Sequence, residues 1–173
     1  MKITIKEMAI FSMLGALMYA SKIIMEFMPN VHLLGVFIVA MTVVYRVKAL
    51  YPIYVFIFLT GTMNGFATWW IPYLYIWLPL WGATMLLPKK LPKYLAPLIY
   101  MIVCALHGFL YGTLYAPAQI LLFFNGDFNK MIPWIIQGLY WDGVHGVSNF
   151  ILGILIVPLI KVLRLSDKIV RQQ

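Results

Sequence analysis

The segment PKKLPK, residues 88–93, places three lysines between two long apolar stretches of a 173-residue chain. Three similar basic clusters lie elsewhere in the chain, two before this segment and one after it. The four clusters hold eleven of the thirteen cationic residues: Lys2/Lys6, Arg46/Lys48, Lys89/Lys90/Lys93 and Lys161/Arg164/Lys168/Arg171. Cytoplasmic loops of membrane proteins collect Lys and Arg. The pattern therefore predicts that all four clusters lie on the cytoplasmic side of a membrane.

The intervals between the clusters predict the number of spans. About 40 residues separate the first cluster from the second and the second from the third, and nearly 70 separate the last two, whereas one span takes roughly 20 residues. Each interval therefore holds one out-and-back pair of helices. We expect an all-α integral membrane protein with six transmembrane helices, both termini cytoplasmic, and one domain over residues 1–173. The predicted helices cover about residues 8–27, 31–45, 49–65, 73–87, 96–116 and 143–163, with a kink at Pro79.

The composition excludes several other classes of protein. With 64% hydrophobic and 10% charged residues, a soluble domain of this length could not bury its apolar side chains. The net charge of +8 is concentrated at predicted helix ends, so we expect a lipid bilayer and not nucleic acid as the partner of these cations. The single Cys104 excludes a disulfide framework, and with only three histidines and few carboxylates no metal site is expected.

The predicted outer connectors differ from the inner ones because they are aromatic and polar instead of short and basic. They contain four of the six tryptophans together with polar residues that include Asn30, His32 and Asn64. The adjoining tract TWWIPYLYIWLPLW, residues 68–81, places Tyr73, Trp77 and Trp81 on one helix face. An interfacial aromatic belt explains Trp69 and Trp70. The deeper Trp77 fits ligand contact and core packing equally well.

The segment WDGVHGVSNF, residues 141–150, is the most concentrated polar segment within the predicted membrane region. Asp142, His145 and Asn149 share one helix face, and ionisable residues within a span usually face a cavity and mark function. We expect Asp142 to cap the amino end of the sixth helix, which leaves His145 and Asn149 as site residues. We expect His107, alone in the fifth helix, to make a hydrogen bond between helices.

Two features of the first helix admit two interpretations each. Lys22 and Glu26 are four residues apart, so they form either a surface ion pair or a contact for a ligand at the rim of a cavity. Ser12, Ala16 and Ala20 line one face of the helix. Small residues at this spacing let helices approach closely in lipid, either within this bundle or against another membrane protein.

Together these residues and motifs resemble the S component of an energy-coupling factor (ECF) transporter, a bacterial importer of micronutrients. The resemblance rests on the length, six spans, cytoplasmic termini, the short second helix, the aromatic outer connectors and the Ser12/Ala16/Ala20 face, although position 12 is Ser where the family motif has Ala. It implies a multi-pass protein of the bacterial inner membrane that binds a vitamin-like substrate from outside. The segments 141–150 and 69–77 further resemble the branch for cobalamin or queuosine precursors.

The resemblance also implies a division of labour between subunits. The partners would be a transmembrane T subunit, docked on Ser12, Ala16 and Ala20, and two ATPases that use ATP. This chain has no GxxxxGK[ST] motif. We therefore expect it to need no cofactor of its own and not to be an enzyme. We expect the substrate to contact nine residues: Glu26, His32, Asn64, Trp70, Tyr73, Trp77, Trp141, His145 and Asn149.

Two other classes of function remain open at this point. One is an intramembrane serine hydrolase, with Ser148 as nucleophile and His107 or His145 as base, although Phe150 breaks a GxSxG motif. The other is a membrane scaffold or accessory subunit without a ligand, in which Trp77, His145 and Asn149 would tolerate apolar replacements.

Overall fold

The computed structural model describes residues 3–172, with side chains up to residue 168. Lys2 and the side chain of Arg171, counted above in the basic clusters, lie outside the described residues. Within them the chain is helical and has no strand. The helices are α1 (Ile5–Ile24), α2 (Leu34–Tyr45), α3 (Leu50–Asn64), α4 (Tyr73–Ile76), α5 (Leu78–Leu86), α6 (Ala96–Phe109), α7 (Tyr111–Phe123), α8 (Met131–Leu152) and α9 (Ile156–Gln172).

Four continuous helical stretches of the described chain are long and apolar enough to cross a membrane: Ile5–Ile24, Leu34–Asn64, Ala96–Phe123 and Phe128–Lys168. The prediction of an all-α protein of membrane type is therefore confirmed. The second stretch is not one straight rod, because Arg46 has a φ of 55° between α2 and α3. On either side of this break, α3 packs along α1 whereas α2 packs along α5 and α9.

The amino end of α1 and the kink at Pro79 follow local sequence rules. Thr4 and Glu7 form a reciprocal capping box, which starts α1 at Ile5, ahead of the predicted start. Trp77 separates α4 from α5, and Pro79 occupies the first turn of α5, where its missing N–H costs nothing. The predicted kink at Pro79 is thus present as a complete break between two short helices.

The predicted bounds of the fifth and sixth helices are wrong. Pro117 does not end the fifth helix but lies inside α7, which runs to Phe123; prolines are tolerated in membrane helices where neighbouring groups satisfy the freed carbonyl. The sixth helix begins at Met131 and not at Gly143. Residues 131–141 are mostly apolar, and Pro133 falls in the first turn, where proline fits a helix. The expected long outer loop is therefore largely helical.

The described members of the four basic clusters lie at one end of the bundle. Lys48 pairs with Glu7 in the first turn of α1, and Nη2 of Arg46 donates to the carbonyl of Met85 at the end of α5. The remaining two clusters line one cavity there, to which Lys89, Lys90, Lys93, Lys161 and Arg164 contribute. The connectors 25–33 and 124–130 lie at the opposite end, because α1 and α7 lead away from this basic end.

Helix α2 forms the centre of the bundle. Leu34, Ile38, Val39 and Met41 are fully buried, which matches a helix surrounded by others on all sides. With 12 residues it is about 18 Å long, shorter than the ~30 Å hydrocarbon core. Its amino end therefore stops inside the bundle, and other side chains fill the space beyond it.

Close helix contacts depend on glycine at two positions. A methyl group at Gly108 of α6 would lie 2.8 Å from the Cα and N atoms of Gly146 in α8. At Gly15 of α1, a methyl group would lie 3.0 Å from the carbonyl oxygen of Pro52 in α3. Backbones this close leave no room for a larger residue, so α6 and α8 are in direct backbone contact at Gly108 and Gly146.

Candidate functional site

The three histidines of the chain meet beyond the amino end of α2, around two aromatic rings. The rings of His32 and His145 are 4.7 Å apart, and that of His145 is 4.7 Å from Tyr111. Trp77 lies 5.6 Å from His107 and 5.9 Å from Tyr111, measured between ring centroids. We call these five residues, His32, Trp77, His107, Tyr111 and His145, the histidine cluster.

Each member of the histidine cluster lies in a connector, at or near a break between helices, or next to a glycine where two helices touch. His32 lies in the connector before α2, and Trp77 is the single residue between α4 and α5. His107 and Tyr111 lie on either side of Leu110, where α6 passes into α7. His145 precedes Gly146, the residue at the closest approach of α6 and α8. The cluster therefore forms where the connector before α2, the α4–α5 break and the α6–α7 break lie beside the contact between α6 and α8.

Many polar atoms of this region are buried without a partner among the described residues. These atoms are Nδ1 of His32, Nε1 of Trp77, Nδ1 of His107, both ring nitrogens of His145 and Oδ1 of Asn149. Leaving such an atom unpaired costs about 1–3 kcal/mol, and native proteins contain few of them. A concentration of buried donors and acceptors in one place is typical of a site that binds a polar molecule.

Two of these side chains also make a structural hydrogen bond. Nε2 of His107 donates to the carbonyl of Ile76 at the end of α4, over 2.8 Å. This contact confirms the predicted hydrogen bond between helices and leaves Nδ1 as an acceptor. Nδ2 of Asn149 donates to the carbonyl of Cys104 over 3.3 Å. Both side chains therefore hold neighbouring helices in place and present their second polar atom to the interior.

His32 lies in the connector between α1 and α2, outside the four apolar stretches. Burial, with smaller contributions from His107 and Lys22, lowers the pKa of its imidazole to about 4. His32 is therefore neutral at pH 7, with one ring nitrogen as donor and the other as acceptor.

A cavity of about 360 Å³ adjoins the histidine cluster, at the end of the bundle opposite the basic clusters. Tyr111 belongs to both. We call this space the aromatic cavity; its side-chain walls are Asn30, Tyr111, Tyr115, Trp134, Trp141 and Asp142. A smaller cavity of about 170 Å³ shares the Asn30 wall and is lined also by Lys22, Glu26 and His32. Together they surround the connector 25–33.

Asp142 does not cap the amino end of α8, which contradicts the expectation from the sequence. It lies in the middle of α8, is buried, and its Oδ1 accepts a hydrogen bond from the backbone N–H of Gly112 over 2.9 Å. Gly112 is the second residue of α7, so this N–H has no partner within its own helix. Asp142 thus caps α7 from a neighbouring helix. A methyl group at Gly112 would lie 2.5 Å from Oδ2 of Asp142.

Seven of the nine predicted site residues lie at the histidine cluster or near the two cavities beside it, and the other two lie elsewhere. Four of them meet at the histidine cluster: His32, Trp77 and His145 belong to it, and Tyr73 stacks edge-on to Trp77 at 5.8 Å. Asn149 lies one turn beyond His145 in α8, and Trp141 lines the aromatic cavity. Glu26 lines the smaller cavity, where it pairs with Lys22 over 3.7 Å.

Asn64 and Trp70 lie apart from the other predicted site residues. Oδ1 of Asn64 accepts from the hydroxyl of Tyr19 at the exposed end of α3. Nε1 of Trp70 donates to the carbonyl of Ile57 over 2.8 Å, and its ring packs on Phe66. Trp70 also borders a wide groove of about 780 Å³ along α3, which is lined by apolar residues and two tyrosines. These contacts are those of helix packing.

Tyr111, Tyr115 and Trp134 line the aromatic cavity without having been predicted as site residues. Tyr111 and Tyr115 follow His107 at spacings of four and eight, a pattern visible in the sequence. Trp134 could be placed only by knowing that α8 begins at Met131. There it stacks on Tyr115, with ring centroids 6.1 Å apart and an interplanar angle of 14°.

Ser148, the candidate nucleophile, contacts backbone carbonyls. Its hydroxyl donates to the carbonyl oxygens of Asn30 and His145, over 3.2 and 3.0 Å. These bonds tie α8 to the connector 25–33. Among the residues up to 168, no group of three His, Cys, Asp or Glu side chains is placed to hold a metal ion.

Comparison of the chain with protein-family models, curated proteins and solved structures gives no match.

Proposed function

We propose that this chain is the substrate-binding S component of an ECF-type importer in the bacterial inner membrane, with six spans and both termini in the cytoplasm. The observation that carries the proposal is the histidine cluster beside the aromatic cavity. Three histidines and Trp77 present several unpaired polar atoms there, beside a cavity at the end of the bundle opposite the basic clusters. If the basic end is cytoplasmic, the cavity opens toward the outside.

The outer face of α1 supports a partner in the membrane. Phe11, Leu14, Gly15 and Met18 are the buried residues of this helix. Ser12, Ala16 and Ala20 are exposed, so this stripe is not used for packing within the bundle. In lipid, an exposed stripe of small residues favours close contact with a further helix. We assign this face to the T subunit, while two ATPases bound to that subunit use ATP.

The proposed cycle separates recognition from energy supply. The chain binds a vitamin-like substrate, for which a cobalamin or queuosine precursor is one candidate, from outside. It then associates with the T subunit, and ATP hydrolysis by the partner ATPases drives release of the substrate inside. In this scheme the chain itself performs no covalent chemistry and holds no cofactor.

The hydrolase alternative receives little support from the contacts of Ser148. Both hydrogen bonds of its hydroxyl go to carbonyls, whereas a nucleophile needs a base within hydrogen-bond reach. The scaffold alternative is favoured by no specific observation. It leaves the unpaired nitrogens of His145 unexplained.

Mass spectrometry of small molecules retained by the protein after purification in mild detergent tests the binding role. Wild type should retain a compound that His145→Leu loses, because the replacement removes both unpaired nitrogens. Val147→Leu, at an exposed position two residues further along α8, is the matched control and should retain it. Equal retention by wild type and His145→Leu would remove the cluster from the site.

Affinity purification after co-expression with a T subunit and ATPases tests the partner role. The three proteins should elute with the wild-type chain, and Ala16→Trp should reduce their recovery because the large ring keeps the docked helix at a distance. Undiminished recovery with Ala16→Trp would place the interface elsewhere, and no recovery with wild type would count against the ECF assignment.

A further inference from the structure

Among the described residues, the carboxylate of Asp142 is the only acidic group in the wall of the aromatic cavity. The residue is 6% exposed. Its Oδ1 is occupied by the N–H of Gly112, but Oδ2 has no hydrogen-bond partner in the described part of the chain. No described Lys or Arg forms an ion pair with it, since the ion pairs there involve Glu7, Glu26 and Asp127.

The negative charge of a buried carboxylate in these surroundings is only partly compensated. The amino end of α7 contributes a favourable dipole of typically 0.3–1 kcal/mol, and the N–H of Gly112 contributes one charge-assisted hydrogen bond. Buried charges in proteins are otherwise paired with an opposite charge. Asp142 lines the cavity, so a cationic ligand bound there supplies an opposite charge next to the buried carboxylate.

The other side-chain walls of the aromatic cavity suit a cation too. Tyr111, Tyr115, Trp134 and Trp141 provide four aromatic rings around a space of about 360 Å³. The faces of aromatic rings attract cations, and cages of such rings recognise ammonium groups. Tyr115 and Trp134 are nearly parallel, with an interplanar angle of 14°. They form one flat wall on which a planar ring can lie.

The nearest lysines are already paired with acids. Lys22 lies in the neighbouring small cavity and pairs with Glu26. Lys130 pairs with Asp127 over 3.9 Å and lies over the ring of Phe124. Neither lysine is in the wall of the aromatic cavity. The charge within this wall is therefore that of Asp142 alone, which repels an anionic ligand.

We propose that the aromatic cavity binds an organic cation, a protonated amine or quaternary nitrogen carried on a small planar ring, with Asp142 as its counter-ion and the tyrosine and tryptophan rings as its walls. This inference rests on the proposed function, because it names the substrate class of the same site. The histidine cluster then contacts the uncharged part of the ligand through its neutral donors and acceptors.

Equilibrium dialysis against three probes of one shape but different charge tests the proposal: 1-methylnicotinamide, a cation; nicotinamide, which is neutral; and nicotinate, an anion. The full chain is held in nanodiscs of phosphatidylcholine, whose surface carries no net charge. The cation should bind saturably and at least tenfold more tightly than either other probe. That ratio corresponds to about 1.4 kcal/mol.

Asp142→Asn is the decisive variant because it removes the charge and keeps an oxygen for the N–H of Gly112. It should lower the affinity for 1-methylnicotinamide at least tenfold and leave the affinity for nicotinamide unchanged. Asp127→Asn is the matched control; it removes an exposed acid outside the cavity wall and should bind the cation as wild type does. Size-exclusion profiles establish that both variants remain folded.

Three results would overturn the proposal: equal or tighter binding of nicotinamide or nicotinate, undiminished cation binding by Asp142→Asn, and saturable binding of none of the three probes by wild type. The transport role fails separately. A chain that prefers the cation through Asp142 but recovers no T subunit keeps the cation site and loses the ECF assignment. A chain that recovers the T subunit but shows no preference for the cation keeps the ECF assignment and loses the cation site.

Discussion

The contact between Gly108 and Gly146 gives the most direct test of how α6 and α8 hold the site together. In Gly108→Ala, the added methyl group would lie 2.8 Å from the Cα and N atoms of Gly146 and 2.8 Å from the carbonyl oxygen of His145. All three are backbone atoms, so no side-chain rotation can relieve the contact. Ordinary contacts of a methyl group begin near 3.4 Å, and the helices must therefore move apart by roughly 0.6 Å.

The energetic effect is isolated by comparison with Gly143→Ala. Gly143 lies in α8, and a methyl group there meets nothing within 4 Å. Both substitutions gain about 1 kcal/mol of helix propensity, so their difference reports the crowding at Gly108. Overpacking of this kind costs typically 1–3 kcal/mol. For a chain of this size, that range corresponds to roughly 2–12 °C in Tm.

The assay is the loss of the monodisperse peak on size-exclusion chromatography after heating the protein in detergent. We expect Gly108→Ala to lose this peak at a lower temperature than Gly143→Ala by that amount. Because the displaced backbone carries His145, Gly108→Ala should also retain less of any co-purifying ligand. Melting of the two variants within about 2 °C of each other would refute the close approach of α6 and α8.

Three further substitutions test other contacts. Asp142→Leu leaves the N–H of Gly112 buried and unpaired and should lower the free energy of unfolding by about 1–3 kcal/mol relative to Asp142→Asn, measured by thermal melting; melting of Asp142→Leu at the wild-type temperature would exclude the cap. Ser148→Ala removes hydrogen bonds to Asn30 and His145 and should cost about 1 kcal/mol without changing ligand retention, whereas complete loss of function in a folded variant would revive the hydrolase. Ala16→Leu on the exposed face of α1 should melt within about 0.5 kcal/mol of wild type, and a larger loss would show that this face packs within the bundle.

Long-range hydrophobic pattern and charge spacing predict the helices of this chain well. The four basic clusters delimit apolar segments, and each predicted segment contains at least one helix in the structure. The physical reason is that the length of an apolar segment and the cations at its ends can be read from the sequence of that segment alone, and tertiary contacts reinforce them. The prediction of an all-helical chain with long apolar helices needs nothing beyond them.

The bounds near the site could not be predicted, because they depend on contacts between helices. Pro117 and Asp142 carry local signals for a helix end and a helix start, yet both lie inside helices. Asp142 is a cap as its residue type suggests, but for α7. A sequence pattern shows that an acid will satisfy some backbone N–H and does not show which helix supplies that N–H.

The same limit explains which residues of the candidate site the sequence indicates. His145 and Asn149 stood out because polar residues within an apolar span are costly. Trp134 did not, because the predicted sixth helix begins only at residue 143 and leaves this tryptophan in a connector. Trp70 and Trp77 belong to the same aromatic tract and were both predicted as site residues, but in the structure Trp70 donates to the carbonyl of Ile57, whereas Nε1 of Trp77 is unpaired.

The helix breaks and the site depend on each other. The break at Trp77 leaves the end of α4 beside α6, and His107 donates to its carbonyl at Ile76. The break at Leu110 frees the N–H of Gly112, and Asp142 of α8 accepts from it. Both of these interruptions are stabilised by a polar side chain from a later helix, which uses one of its polar atoms there and keeps the other unpaired.

This pairing of roles predicts how substitutions must be chosen. Removing His107 or Asp142 altogether removes a support of the backbone together with a candidate ligand contact, so loss of binding would not distinguish the two roles. The isosteric Asp142→Asn keeps the support and removes only the charge. If Asp142→Asn melts like wild type but loses its preference for a cation, the free carboxylate oxygen acts on the ligand; if it melts like Asp142→Leu, the negative charge itself holds α7 in place.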